Sequence, residues 1–100
     1  MEIRFEAELW EYRPTQVTWI FVTLPIKAAD ELRFMTRSLP KVGFGTIKVR
    51  VTLGSDQWLT SVFPDKPSES FLLPIKAQIR KNQGLVVGDR CTLVLQPIGV

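Results

Sequence analysis

The pentapeptide Leu-Pro-Ile-Lys-Ala occurs twice in this chain, at Leu24 to Ala28 and again at Leu73 to Ala77. Each copy follows a short apolar, β-prone run, and each precedes a stretch with helical spacing. Proline cannot donate to the ladder of a central strand, so a strand is expected to close at the leucine. Proline fits the first turn of a helix, where a missing N–H costs nothing. The motif thus reads as a strand-to-helix switch. Leucine closes the strand, Pro25 or Pro74 opens the helix, isoleucine enters the core and lysine faces water. A chain carrying this switch at equivalent places in both halves is expected to be internally repeated.

The segments around the switch support that reading. Ile3, Phe5, Ala7 and Leu9 alternate with Glu2, Arg4, Glu6 and Glu8, the period of a strand with one wet face. A turn through Pro14 follows, then "VTWIFVTL", a strand expected to be antiparallel to the first and buried on most of both faces. "PIKAADELRFMTR" predicts a helix, with Ala28, Leu32, Met35 and Leu39 on one apolar stripe. "LPKVGFG" breaks it. "TIKVRVTLG" alternates cleanly, with Ile47, Val49, Val51 and Leu53 inward. After "GSD", "QWLTSVFP" reads as the returning arm of a hairpin. "FLL" is a short strand leading into the second switch and a shorter helix, with Ile75 and Ile79 inward and Gly84 as terminator. A last strand turns Cys91, Leu93 and Leu95 one way and Thr92, Val94 and Gln96 the other. Both halves therefore run strand, strand, switch, helix, strand. The expected fold class is mainly β: a small barrel with two short helices and an internal pseudo-two-fold ββαβ repeat, each half covering the other's apolar face.

One hundred residues predict a single domain spanning 1–100. The 45% hydrophobic content supports one core without help from metals or disulfides. Cys91 is the only cysteine, so no internal disulfide framework exists. The N-terminus has no apolar signal-like stretch, and "WIFV" is far short of the roughly 20 apolar residues of a spanning helix. A cytoplasmic address and no membrane partner are the expectations.

Two family resemblances rest on particular residues. "LPIKAQIRKNQGLVVGDRCTLVL" resembles the core of the AbrB/MazE-type swapped-hairpin regulators, through Pro74, Ile79, Arg80, Gly84, Leu85, Gly88 and Asp89. Nearly the whole chain resembles the DUF1905 family, through Phe5, Ala7 and Leu9, then Trp19 to Pro25, then the second switch with Arg80, Lys81, Gly88 and Asp89. That resemblance implies a double-split β-barrel, in which one chain holds both halves of what AbrB-like proteins build as a dimer. It implies no particular activity.

The chain has no histidine. The commonest general base, the Ser-His and Cys-His nucleophile pairs and the commonest metal ligand are therefore all missing. Asp30 and Glu31 fit the wet side of a helix, and Glu2, Glu6 and Glu8 fit the wet face of a strand. Cys91 is expected in the core, where thiols behave as small hydrophobes. The glycines match no phosphate-loop spacing. The expectation is a protein that is not an enzyme and uses no cofactor or metal.

Two binding readings remain. The favoured one is a small interaction module for an unidentified protein or small ligand. It rests on Trp10 and Tyr12, which continue the outward phase of the first strand; a bend that tucks both rings under a loop is the alternative. The other reading is nucleic-acid binding. Lys76, Arg80, Lys81 and Arg90 stand against Asp89 with a local net of +3 (four minus one), and Lys48 and Arg50 point off another strand. Such residues suit phosphates, and in AbrB-like proteins basic residues near this turn and strand carry DNA contacts. The whole-chain charge of +3 permits an anionic partner without requiring one.

Overall fold

The computed structural model describes all 100 residues. The N-terminal alternation forms β1 (Ile3–Glu8), which continues after Leu9 as β2 (Trp10–Tyr12). β3 (Trp19–Thr23), α1 (Ile26–Met35) and β4 (Ile47–Leu53) complete the first half. The second half holds β5 (Asp56–Asp65), β6 (Ser70–Pro74), α2 (Ala77–Gln83) and β7 (Arg90–Pro97). All strand pairings are antiparallel, in the order β1-β7-β4-β5-β6-β3-β2. The two outermost members of that order are successive pieces of one N-terminal strand. The sheet therefore curls until its edges meet at Leu9, which is fully buried. Leu9 N–H donates to the Asp89 carbonyl at 2.9 Å, and its own carbonyl accepts from Gly88 N–H at 2.8 Å. The strand thus leaves β7 for β3 without an unpaired backbone group at the crossing.

The pairing scheme is two-fold symmetric. Exchanging the halves places β1 and β2 on β5, β3 on β6 and β4 on β7. The β1–β7 and β2–β3 pairings then become β5–β4 and β5–β6, while β3–β6 and β4–β7 map onto themselves. β5 behaves as the N-terminal strand does, pairing with β4 as far as Val62 and with β6 from Phe63 onward. The double-split barrel that the family resemblance implied and the internal repeat read from the sequence are both present. Inward residues of both halves share one core of 21 residues, including Ile3, Leu9, Val22, Leu73, Val49, Val51, Leu93 and Leu95. Each fully buried aliphatic side chain there contributes about 1.5–3 kcal/mol of transfer free energy.

The switch itself differs between copies. Pro25 flanks α1 in extended geometry (φ −56°, ψ 150°), and the helix begins at Ile26. Pro74 opens no helix. It is the last residue of β6, opposite Phe21, and α2 begins only at Ala77. Backbone partners explain the difference. Past Pro74 the ladder takes one more step, because Ile75 N–H donates to the Ile20 carbonyl at 2.9 Å. At the first copy, Leu24 N–H donates to the Phe71 carbonyl at 3.0 Å, and the Leu24 carbonyl accepts from the buried Ser70 hydroxyl at 2.6 Å. There β3 ends at Thr23, and Leu24 makes the last backbone bond to the neighbouring strand. Ile75 is consequently 1% exposed, whereas Ile26 is 52% exposed on the wet side of α1, against the expectation that both enter the core.

The helical stripe holds as Ala28 and Leu32 with Ala29 beside them, and Met35 packs at the margin; Leu39 lies beyond the helix end. α2 ends at Gly84 in the left-handed region (φ 64°, ψ 37°). Leu85 N–H reaches back to the Arg80 carbonyl and Gly84 N–H to that of Lys81, the paired bonds of a Schellman ending. No helix is long and apolar enough to cross a membrane.

Candidate functional site

The outer face of β2 and β3 carries the most unusual surface. Ile20, Val22 and Leu24 take the inward positions of β3 and its exit, so Trp19, Phe21 and Thr23 point outward. This corrects the expectation that the second strand is buried on most of both faces: Trp19 is 50% exposed. The register sets Trp10 opposite Phe21 and Tyr12 opposite Trp19. The result is a four-ring cluster. Ring centroids lie 5.5 Å apart for Trp10 and Phe21, 6.4 Å for Tyr12 and Phe21, 6.4 Å for Trp10 and Tyr12, and 6.1 Å for the parallel pair Trp19 and Phe21. Trp10 Nε1–H donates to Thr23 Oγ1 at 2.9 Å, which fixes that ring from below.

Trp10 and Tyr12 thus follow the outward phase expected of them. No loop covers Tyr12, which is 49% exposed, while Trp10 is half-buried by its neighbours. The apolar face continues through Leu72 and Pro74 of β6 to Phe63 and Leu59 of β5, the last two exposed.

At one end of this face β5 departs from β6 to join β4, and a cleft of about 370 Å³ opens in the split. Trp19, Trp58, Leu59, Pro74, Lys76 and Arg80 line it. Arg80 Nε–H donates to the Ile75 carbonyl at 3.1 Å, which holds the guanidinium against the wall. The cleft brings two of the six candidate cations together with a ring of the aromatic cluster. Arg50 lies opposite Leu59 on the neighbouring strand, near the same cleft. Lys81 is exposed on α2.

The remaining two are elsewhere. Arg90 lies opposite Glu8 and reaches Glu6 at 3.6 Å, so it belongs to the acidic face of β1. Lys48 lines a different and larger cleft beside α1. The sequence cluster from Lys76 to Arg90 is therefore not one basic patch: the chain turns between Gly84 and Asp89 and carries Arg90 onto β7 beside Glu6 and Glu8 of β1.

Cys91 is buried on the inward face of β7, and burial pushes its thiol up from the ordinary value of 9.0. No three His, Cys, Asp or Glu side chains stand close enough to hold a metal ion. Sequence reasoning missed Trp19 and Phe21 as surface residues. Their signal was the strict alternation with Ile20 and Val22, outweighed in the reading by the apolar character of the whole run.

The curled antiparallel sheet, split twice and bearing an open aromatic face, defines a small barrel-type domain. The family described as "Domain of unknown function (DUF1905)" matches residues 5–95, and the chain belongs to that family. No curated protein matches it.

Proposed function

We propose that this chain is a non-enzymatic binding module that docks a protein partner on the aromatic outer face of β2, β3, β6 and β5. The observation that carries the reading is the ring cluster of Trp10, Tyr12, Trp19 and Phe21, half open to solvent on a rigid sheet. Tryptophan and tyrosine lose little conformational freedom on binding and dominate interface hot spots. Lys76, Arg80 and Arg50 at one end favour a partner that sets carboxylates beside its apolar anchor. The lack of histidine and the core position of Cys91 support a role without covalent or acid–base chemistry.

The test is photo-crosslinking in the source cells from a benzoylphenylalanine at position 12, followed by titration of the captured protein once purified. Trp19→Ala and Tyr12→Ala are expected to weaken that titration by about tenfold or more each and to leave the fold intact. Equal affinity of wild type and both variants defeats the reading.

Nucleic acid is the second reading, favoured by one observation: Trp19 and Trp58 share their cleft with Lys76 and Arg80. Rings for stacking beside cations for phosphates are the means by which single strands are held. A mobility shift with mixed single-stranded DNA and RNA at low salt, abolished by Lys76→Glu with Arg80→Glu, is its signature. No shift at tens of micromolar protein ends it.

A further inference from the structure

The larger cleft lies on a different surface and has its own chemistry. It encloses about 780 Å³ between the C-terminal end of α1, the segment leading to β4, and the start of β4. That volume lies within the range of about 300–1,000 Å³ usual for small-molecule sites. Ile47, Pro64, Phe71 and Ile98 supply apolar wall. Arg33, Arg37, Lys41 and Lys48 also line it, and no aspartate or glutamate does.

The two arginines are pre-placed. Arg33 pairs with Asp30 at 2.9 Å, donates to the Glu69 carbonyl at 2.6 Å and lies 5.2 Å from the Phe71 ring centre. Arg37 donates to the Phe34 carbonyl at 2.7 Å and stacks over the Phe34 ring at 3.9 Å. Lys41 and Lys48 have no acidic partner within 4.0 Å. The cleft thus concentrates positive charge over an apolar wall.

Its lip is a tight turn. A bridge between Val42 and Thr46 and a 3.1 Å bond from Gly45 N–H to the Val42 carbonyl close it. Gly43 and Gly45 adopt φ of 56° and 90°, which only glycine takes readily. Between them Phe44 stands at the edge of the cleft, 96% exposed. Nothing in the chain uses this ring, and an exposed phenyl held by two glycines at the mouth of a cationic cleft is suited to close on a guest.

We infer that this cleft binds a free small amphipathic anion: a single carboxylate, sulfonate or phosphate on an apolar body. The charge and the wall each exclude an alternative. A neutral amphiphile would leave Arg37, Lys41 and Lys48 without counter-charge, and a small hydrophilic anion would leave the apolar wall wet. Thr36 and Thr46 are the only neutral polar side chains in the lining, too few to read the edges of a base.

The experiment uses a matched pair of fluorescent probes with the intact protein. 1-Anilinonaphthalene-8-sulfonate carries a sulfonate; N-phenyl-1-naphthylamine has the same aromatic body without it. The sulfonate is expected to saturate, to bind about tenfold more tightly than the neutral probe, and to be displaced by decanoate. Lys41→Glu with Lys48→Glu, both on the surface, should weaken it by about tenfold, and Phe44→Ala by about threefold. Trp19→Ala should leave it unchanged, which separates this site from the aromatic face. Equal binding of the two probes, indifference to the double charge reversal, loss on Trp19→Ala, or no displacement by decanoate overturns the inference. Sedimentation with phosphatidylglycerol vesicles that persists in excess decanoate also overturns it, assigning the charge to a membrane surface instead.

Discussion

Cys91 shows how one side chain's role follows from its place in an alternating strand. It alternates with Thr92 along β7 and faces the core opposite Ala7 of β1. Burial raises its pKa above 9.0; Arg90 beside it pulls the other way, and Asp89 adds to the rise. The folded chain therefore holds the thiol proton more tightly than the unfolded chain does. Its contribution to stability is full below the unfolded thiol's value and is lost as pH rises through the higher folded value. Urea midpoints measured from about pH 8 to about pH 10.5 are expected to fall more steeply for the wild type than for Cys91→Ala. Parallel slopes would show that the thiol is not buried in solution. The comparison with Cys91→Ala isolates the thiol's share of the pH dependence.

At the scale of elements, the two Leu-Pro-Ile-Lys-Ala copies separate what five letters specify from what their neighbours decide. Both copies change direction from sheet to helix near the proline. The residue at which the ladder stops is set by the partner strand: the Ser70 hydroxyl takes the Leu24 carbonyl, whereas the Ile20 carbonyl holds Ile75 in the sheet. Ile75→Ala is expected to cost about 2–5 kcal/mol, as for a buried aliphatic truncation. Ile26→Ala, on the exposed side of α1, is expected to change stability by less than about 0.5 kcal/mol. Chemical denaturation of the two variants checks both values, and similar losses would mean that the copies are equivalent after all. The same logic separates the basic residues. Lys76 and Arg80 sit at the start and middle of one short helical segment and meet in one cleft, whereas the turn from Gly84 to Asp89 removes Arg90 from them.

At the scale of the whole molecule, the repeat does not produce two lobes that could stand apart. β5 pairs with strands of both halves, the N-terminal strand does likewise, and every inward residue joins one core. Neither half can bury its apolar face alone. Thermal unfolding is expected to be a single cooperative transition, with tryptophan fluorescence, which reports Trp10 and Trp19 in one half and Trp58 in the other, coinciding with far-ultraviolet circular dichroism. Two resolved transitions would mean that the halves fold as separate units. The two proposed surfaces also belong to this scale. The aromatic face needs β2, β3, β6 and β5 side by side. The cationic cleft needs the end of α1, the Phe44 turn and β4 brought together from residues 33 to 48, with Pro64, Phe71 and Ile98 arriving from the other half.

The sequence by itself determined the alternating strands, their inward faces, the core position of Cys91, the Gly84 ending and the internal repeat. These follow from a period of two or near 3.6 and from the few conformations open to proline and glycine, all of which act within a few residues. Strand phase carried across Leu9 offered Trp10 and Tyr12 as outward residues, but a bend tucking both under a loop was equally open to the chain until the structure left Tyr12 uncovered. Only the tertiary structure decided that Trp19 and Phe21 pack against Tyr12 and Trp10, that Pro74 stays in the sheet while Pro25 precedes a helix, and that Lys48 and Arg90 part company from Lys76 and Arg80. Each of those outcomes depends on which strand lies alongside and where the barrel splits. A backbone hydrogen bond between residues about fifty positions apart leaves no periodic trace in the chain that makes it, and neither does a ring contact across a strand pair such as Trp10 with Phe21.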